Sequence, residues 1–261
     1  MDGLVYFTAR SLPLKSTLTK NGYVPIMAAM KRIGEMQCLE VPWPNPAQQA
    51  VYFFLFHGFG ADASDLQPLH QVIKPAEPMH FVFPQGILEV PVGPGWTGRA
   101  WWNIDAEQLQ RAAMMQTPFD LSREKPVMLE SLRSKIMAMI DSLGVPWNRI
   151  LLGGFSQGAM LATEVFLHAP ENPKGLVILS GAPMNLDEWK TLAPKRAGVS
   201  FFMAHGANDP LLACQGATRL ESVLKQAGMR GSLYVFPGGH EISMSAIGKL
   251  NQYLEQLAKP Q

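Results

Sequence analysis

A chain of 261 residues, 47% hydrophobic and 16% charged with a formal net charge of +1, fits one large α/β domain with a substantial core. It carries no run of five like charges, so charge gives no basis for binding nucleic acid or another polyanion. No apolar run approaches the roughly 18 residues that span a bilayer, and the two cysteines, Cys38 and Cys214, form neither a disulfide framework nor a metal-type spacing. Reduced thiols, no transmembrane segment and a cytoplasmic location are the expectation.

Residues 1–35 carry no clear hydrophobic period and are assigned as an N-terminal extension, with residues 36–261 forming the folded domain. The extension is compatible with a stray strand or with sequence upstream of a later start such as Met30. The N-terminus lacks a basic stretch followed by an apolar core and a small-residue cleavage site, so no secretory leader is expected. Beyond it, strands are predicted at 36–41, 50–56, 80–83, 149–153, 176–179, 199–204 and 232–236. Several are apolar at nearly every position (VYFFLF, RILLGG, LVIL, VSFFMA), as suits central strands covered on both faces. Helices are predicted at 122–143, 157–168, 214–227 and 243–257. In the first, Val127, Leu129, Leu132, Ile136, Met139, Ile140 and Leu143 recur at helical spacing before Gly144 and Pro146 end the run. Strands alternating with helices predict a mostly parallel central sheet with helices on both faces. PWPNP at 42–46 reads as a turn, and 87–117, with its PVGPGW and GRAWWNID runs, is too long for a simple connection. A functional loop is expected there.

The chemistry centres on Gly154-Phe155-Ser156-Gln157-Gly158, a G-x-S-x-G pattern entered by an apolar strand and left by a helix. In that setting the serine sits on a sharp, strained turn, and the flanking glycines leave room for close backbone contact. A serine hydroxyl needs a base, and the base an orienting acid. Where this turn is used catalytically, the acid and then the histidine follow the serine. His240, in a glycine-rich loop after the last predicted strand, is the expected base. His168 ends the nucleophile helix, and His205 opens HGANDPLL. Asp209, after the penultimate strand, is the expected acid; Asp187 in NLDEW reads instead as a residue at the start of a helix. Two N–H donors are required for the oxyanion. Gln157 supplies one, and Phe59, in the HGFG loop that follows an early strand, supplies the other. His57 precedes the serine and is expected only to brace that loop. Trp101, Trp102, Met114, Met115 and Phe119 form an apolar cluster in or beside the irregular segment, and Leu211 is a further candidate wall beside the acid.

HGFGAD, GRAWWNID, NRILLGGFSQGAML, LSGAP, FFMAHGANDPLL and PGGHEIS, in this order, resemble the phospholipase/carboxylesterase family of α/β-hydrolases, which includes the acyl-protein thioesterases. The resemblance covers about residues 36–258. It implies an α/β-hydrolase fold without a large cap domain, and hydrolysis of carboxylic esters, thioesters or lysophospholipids through Ser156, Asp209 and His240, with neither metal nor cofactor. It also implies that the loop around Trp101 and Trp102 lines the acyl pocket. The substrate would be a small acyl ester or an acylated protein or lipid; a homodimer is left open. Asn103 departs from the aspartate that many members carry after the aromatic pair. An acyltransferase using the same three residues and a non-catalytic binding protein of the same fold are the alternatives.

Overall fold

The computed structural model describes residues 29–45, 49–105, 111, 114, 115 and 120–259. Eight strands form one sheet: β1 (Lys31–Ile33), β2 (Met36–Val41), β3 (Val51–Phe56), β4 (Met79–Pro84), β7 (Ile150–Phe155), β8 (Gly175–Leu179), β9 (Ser200–Gly206) and β10 (Arg230–Phe236). Their spatial order is β1-β2-β4-β3-β7-β8-β9-β10. The pairings from β4 through β10 are parallel, whereas β1 and β2 add an antiparallel edge. This is the mostly parallel sheet that the sequence pattern predicts and the α/β-hydrolase fold that the family resemblance implies.

The apolar strand runs are explained by their two-residue period. Phe54, Phe56, Leu152, Ile178, Phe201 and Met203 pack into one core. Their chain neighbours Phe53, Leu55, Leu151, Val177, Phe202 and Ala204 pack into the other. Helices α2 (Leu129–Asp141), α3 (Gln157–His168), α4 (Leu186–Leu192) and α5 (Cys214–Gln226) cover the first face. The short α1 (Leu69–Val72) and α6 (Met244–Leu257) cover the second. At the start of α6, the Ser243 hydroxyl accepts a hydrogen bond from the Ala246 N–H, which satisfies one free amide of the first turn.

Three elements depart from expectation. Helix α2 starts seven residues later than predicted; Pro126 disfavours helical backbone at Lys125 and so breaks the first part of the predicted span. Val127, counted on the apolar face, is fully exposed. Strand β1 lies within the segment assigned to the extension and pairs with β2, so the sheet begins upstream of residue 36. The long segment after β4 contains an antiparallel hairpin, β5 (Leu88–Gly93) and β6 (Trp96–Ala100), with a register shift between Pro91 and Gly93. Most of the N-terminal extension, and Phe119 of the predicted apolar cluster, lie outside the described residues.

Candidate active site

Ser156 sits between β7 and α3 with φ 54° and ψ −119°, a region that non-glycine residues rarely occupy. Tight packing around the turn holds it there. A Cβ on Gly158 would run into the Phe56 carbonyl oxygen, and one on Gly154 would lie 2.7 Å from that same oxygen. The two glycines therefore let the start of α3 pack backbone-to-backbone against the end of β3, and the serine is left projecting beyond the sheet.

The loops after β9 and β10 are joined by their backbones. Ala207 N–H donates to the Phe236 carbonyl at 2.8 Å, and Asn208 N–H to the Gly238 carbonyl at 2.9 Å. Gly206 lies too close to the Gly239 carbonyl to accept a Cβ. At the end of β8, Ser180, also at positive φ, donates its hydroxyl to the Glu241 carbonyl at 3.0 Å. Asp209 and His240 are thus brought together on the side of the sheet where the strands end, which is where open parallel sheets place their ligands.

The geometry that results is a relay. Ser156 Oγ lies 2.8 Å from His240 Nε2, and His240 Nδ1 lies 2.7 Å from Asp209 Oδ2. The other carboxylate oxygen, Oδ1, accepts the N–H groups of Leu211 and Leu212, each at 2.9 Å. His205 Nε2 approaches Oδ2 at 3.1 Å. Burial on its own would raise the Asp209 pKa; hydrogen bonds from His205, His240 and the Leu212 amide outweigh it and hold the carboxyl well below the usual range. Asp209 therefore remains ionised through the neutral pH range. The His240 ring packs against Phe155 with centroids 5.0 Å apart.

On the other side of Ser156 lies the loop after β3. No hydrogen bond within the described residues takes up the N–H of Phe59 or of Gln157. Gln157 heads α3, whose first-turn amides are free by construction. Strand β6 holds the Phe59 loop: Gly60 N–H donates to the Arg99 carbonyl at 2.8 Å, and Arg99 N–H to the Ala61 carbonyl at 2.7 Å. His57 is buried, with Nδ1 2.7 Å from the Gly58 carbonyl and Nε2 accepting the Gly86 N–H at 2.9 Å. Burial pushes its pKa down to about 4, so the neutral ring is the form that fits. It braces the loop, as expected.

Trp101 departs from its expected place. Its side chain has no exposed surface; the indole N–H donates to the His57 carbonyl at 2.8 Å, and the ring meets Phe56 edge-on. Trp102 is 4% exposed and Leu211 half-buried. Met114 and Met115 are exposed at 70% and 72%. The Gln157 side chain spans the aromatic pair, its Oε1 accepting from Trp101 N–H at 3.0 Å and its Nε2 donating to the Trp102 carbonyl at 2.8 Å. Sequence reasoning missed this clamp and also missed the approach of His205 to Asp209. A histidine four residues before the acid was the available signal for the second; the first had none. Cavities of about 680 Å³ below the C-terminal end of α3 and about 640 Å³ along β10 and α6 border none of Ser156, His240 and Asp209.

Residues 36–258 match the phospholipase/carboxylesterase family. The chain belongs to this family. It is a hydrolase of carboxylic esters. It is similar to acyl-protein thioesterase 1 of Debaryomyces hansenii, with 23% identity over 82% of this chain and 94% of that one. Acyl-protein thioesterase 1 of Eremothecium gossypii is 29% identical over 76% of this chain and 84% of its own. Among solved structures, esterase PE8 superposes with a TM-score of 0.68 at 23% identity, covering 85% of this chain and 99% of that one. The carboxylesterase of Mesorhizobium loti gives 0.66 at 19% identity, covering 87% and 98%. At such identities the structural likeness speaks for the fold alone.

Proposed function

We propose that this hydrolase cleaves its substrate through an acyl-serine intermediate on Ser156, with His240 as general base and acid and Asp209 orienting the imidazole. The observation that carries this reading is the unbroken relay of 2.8 Å and 2.7 Å contacts from Ser156 Oγ through His240 to Asp209 Oδ2. Ser156 Oγ attacks the acyl carbon while its proton passes to His240 Nε2. The imidazolium that forms is stabilised by the ionised Asp209. The tetrahedral oxygen is received by the N–H groups of Phe59 and Gln157, each worth roughly 3–4 kcal/mol of barrier. His240 then gives its proton to the departing alcohol or thiol. In the second half-reaction a water, deprotonated by His240, frees the acid and restores the serine.

Relatives named as acyl-protein thioesterases favour an acylated protein or lipid as the substrate, with Trp102 and Leu211 lying against the acyl chain. No described helix is long and apolar enough to cross a membrane. Both cysteines are free, and a cytoplasmic location is proposed on that ground. The decisive test is Ser156→Ala assayed on p-nitrophenyl esters and acyl thioesters alongside fluorophosphonate labelling. Loss of both turnover and label is the expected outcome, and retention of turnover sinks the assignment.

A further inference from the structure

The Asp209 carboxylate is surrounded by four donors, two on each oxygen. Those on Oδ1 are backbone amides of the acid's own turn. Those on Oδ2 are both histidines: His240, which must gain and lose a proton in each turnover, and His205, which sits within β9 and is wholly buried. His205 Nε2 is 2.8 Å from the Leu212 carbonyl and 3.1 Å from Asp209 Oδ2. A carbonyl can only accept, so Nε2 carries a hydrogen. His205 Nδ1 is buried without a partner among the described residues. A bare lone pair is better tolerated there than an orphaned N–H, which leaves the neutral Nε2–H tautomer.

We propose that His205 is a positioning residue for the catalytic acid, its single Nε2–H shared between the Leu212 carbonyl and Asp209 Oδ2 so that the carboxylate keeps its rotamer while His240 cycles between charge states. The proposal rests on the Ser156–His240–Asp209 reading above. It follows from where each anchor stands. The Oδ1 amides permit the carboxylate to pivot about that oxygen, and His240 is a poor fixed point because its ring charge, and with it the strength of its Nδ1–H bond to Oδ2, changes during the reaction. His205, paired with Val235 across the sheet, is the rigid one. Its bond to Leu212 closes the turn that carries Asp209, so a single ring fixes both the loop and the acid. The titratable groups facing this carboxylate are His205 from β9, His240 from the loop after β10, and the thiol of Cys214 at the head of α5.

The experiment compares His205→Leu, which removes the donor, with His205→Gln, which offers an amide N–H at a similar reach, and uses Ser156→Ala as the reference for the triad. His205→Leu should lower kcat at least about tenfold with KM little changed. It should also move the acid limb of kcat/KM to higher pH, since an undrained Oδ2 charge favours the His240 imidazolium. His205→Gln should restore most of both. Wild-type kcat and limb in His205→Leu overturn the proposal, as do equal losses in the two variants with the limb unmoved. Because the buried leucine puts folding at risk, ¹⁵N-histidine NMR of the unsubstituted protein supplies a second reading. A His205 signal of the Nε2–H tautomer is expected, and an Nδ1–H tautomer overturns the idea. If Ser156→Ala keeps its turnover, the triad reading falls instead.

Discussion

On one side of Ser156, the site is assembled from side chains at the ends of β7, β9 and β10 that meet over hydrogen bonds of 2.7 and 2.8 Å. On the other, it is assembled from backbone. The Phe59 loop is paired with β6, His57 ties it to Gly86, Trp101 reaches back to the His57 carbonyl, and Gln157 clamps the Trp101–Trp102 backbone to the head of α3. In the proposed mechanism the first half passes a proton, through titratable groups. In that mechanism the second supplies the N–H groups of Phe59 and Gln157, which no hydrogen bond among the described residues takes up, and no titratable group there changes state. Substitutions in the two halves should therefore differ in kind as well as in size. The proton-relay half should show its damage in kcat and pH profile. The oxyanion half should show it in kcat and stability together.

The largest effect belongs to Asp209→Asn. All four contacts to the carboxylate are donors, so an amide must point its NH₂ at two of them whichever way it turns. Either the Leu211 and Leu212 amides lose their acceptor or His240 loses its orientation. A fall in kcat of about 10⁴, with the protein folded, is expected from steady-state ester hydrolysis and circular dichroism. A loss below tenfold would mean that this relay is not the one used.

Next comes the contrast between two histidines. His57 has its pKa pushed down to about 4 by burial. Because the folded value lies below that of an unfolded histidine near 6.5, the unfolded chain takes up a proton over that interval and the folded one does not. Its contribution to stability is present above about pH 6.5 and is lost as pH falls toward 4, on the order of 3 kcal/mol in all. Denaturant titrations of the unsubstituted protein and His57→Gln at pH 7 and pH 4.5 should therefore converge at the lower pH. If the gap between them is the same at both pH values, His57 is not part of the acid response. The acid limb of activity should track His240 in both proteins, since the two rings serve different halves.

This division also explains what could be read from sequence. Ser156, Asp209 and His240 each follow an apolar strand run, so the three side chains that the structure brings together were candidates in one dimension. The central strands were visible for the same reason, since burial on both faces leaves continuous apolar runs. The hairpin was not. β5 contains Pro91 and a register shift, β6 contains Gly98, and their role is to present backbone to the Phe59 loop. Backbone pairing places little demand on residue type, and a Cβ at Gly98 would strike the Gly60 carbonyl, so the residue that matters there is marked only by lacking a side chain. Helix α2 shows the opposite failure. Val127, itself fully exposed, extended the apolar period into a segment that lies before the helix.

The smallest effect separates two readings of one residue. As an acyl-pocket wall, Trp101 would act on substrate affinity; as the tie between the His57 carbonyl and the Gln157 clamp, it acts on the donors for the oxyanion. Trp101→Phe removes the indole N–H and keeps an aromatic ring against Phe56. The His57 carbonyl then loses its 2.8 Å partner in a buried place, which should lower stability by about 1–2 kcal/mol. The Phe59 amide should lose some of its alignment. An oxyanion donor acts in the transition state more than in the ground state, so kcat should drop by several-fold, short of the 10²–10³ that loss of a whole donor causes. KM for a short ester should stay nearly constant, and the loss should be the same for short and long acyl chains. If KM rises instead, and rises more as the acyl chain lengthens, Trp101 belongs to the pocket after all, and the backbone-built half of the site has a direct part in choosing the substrate.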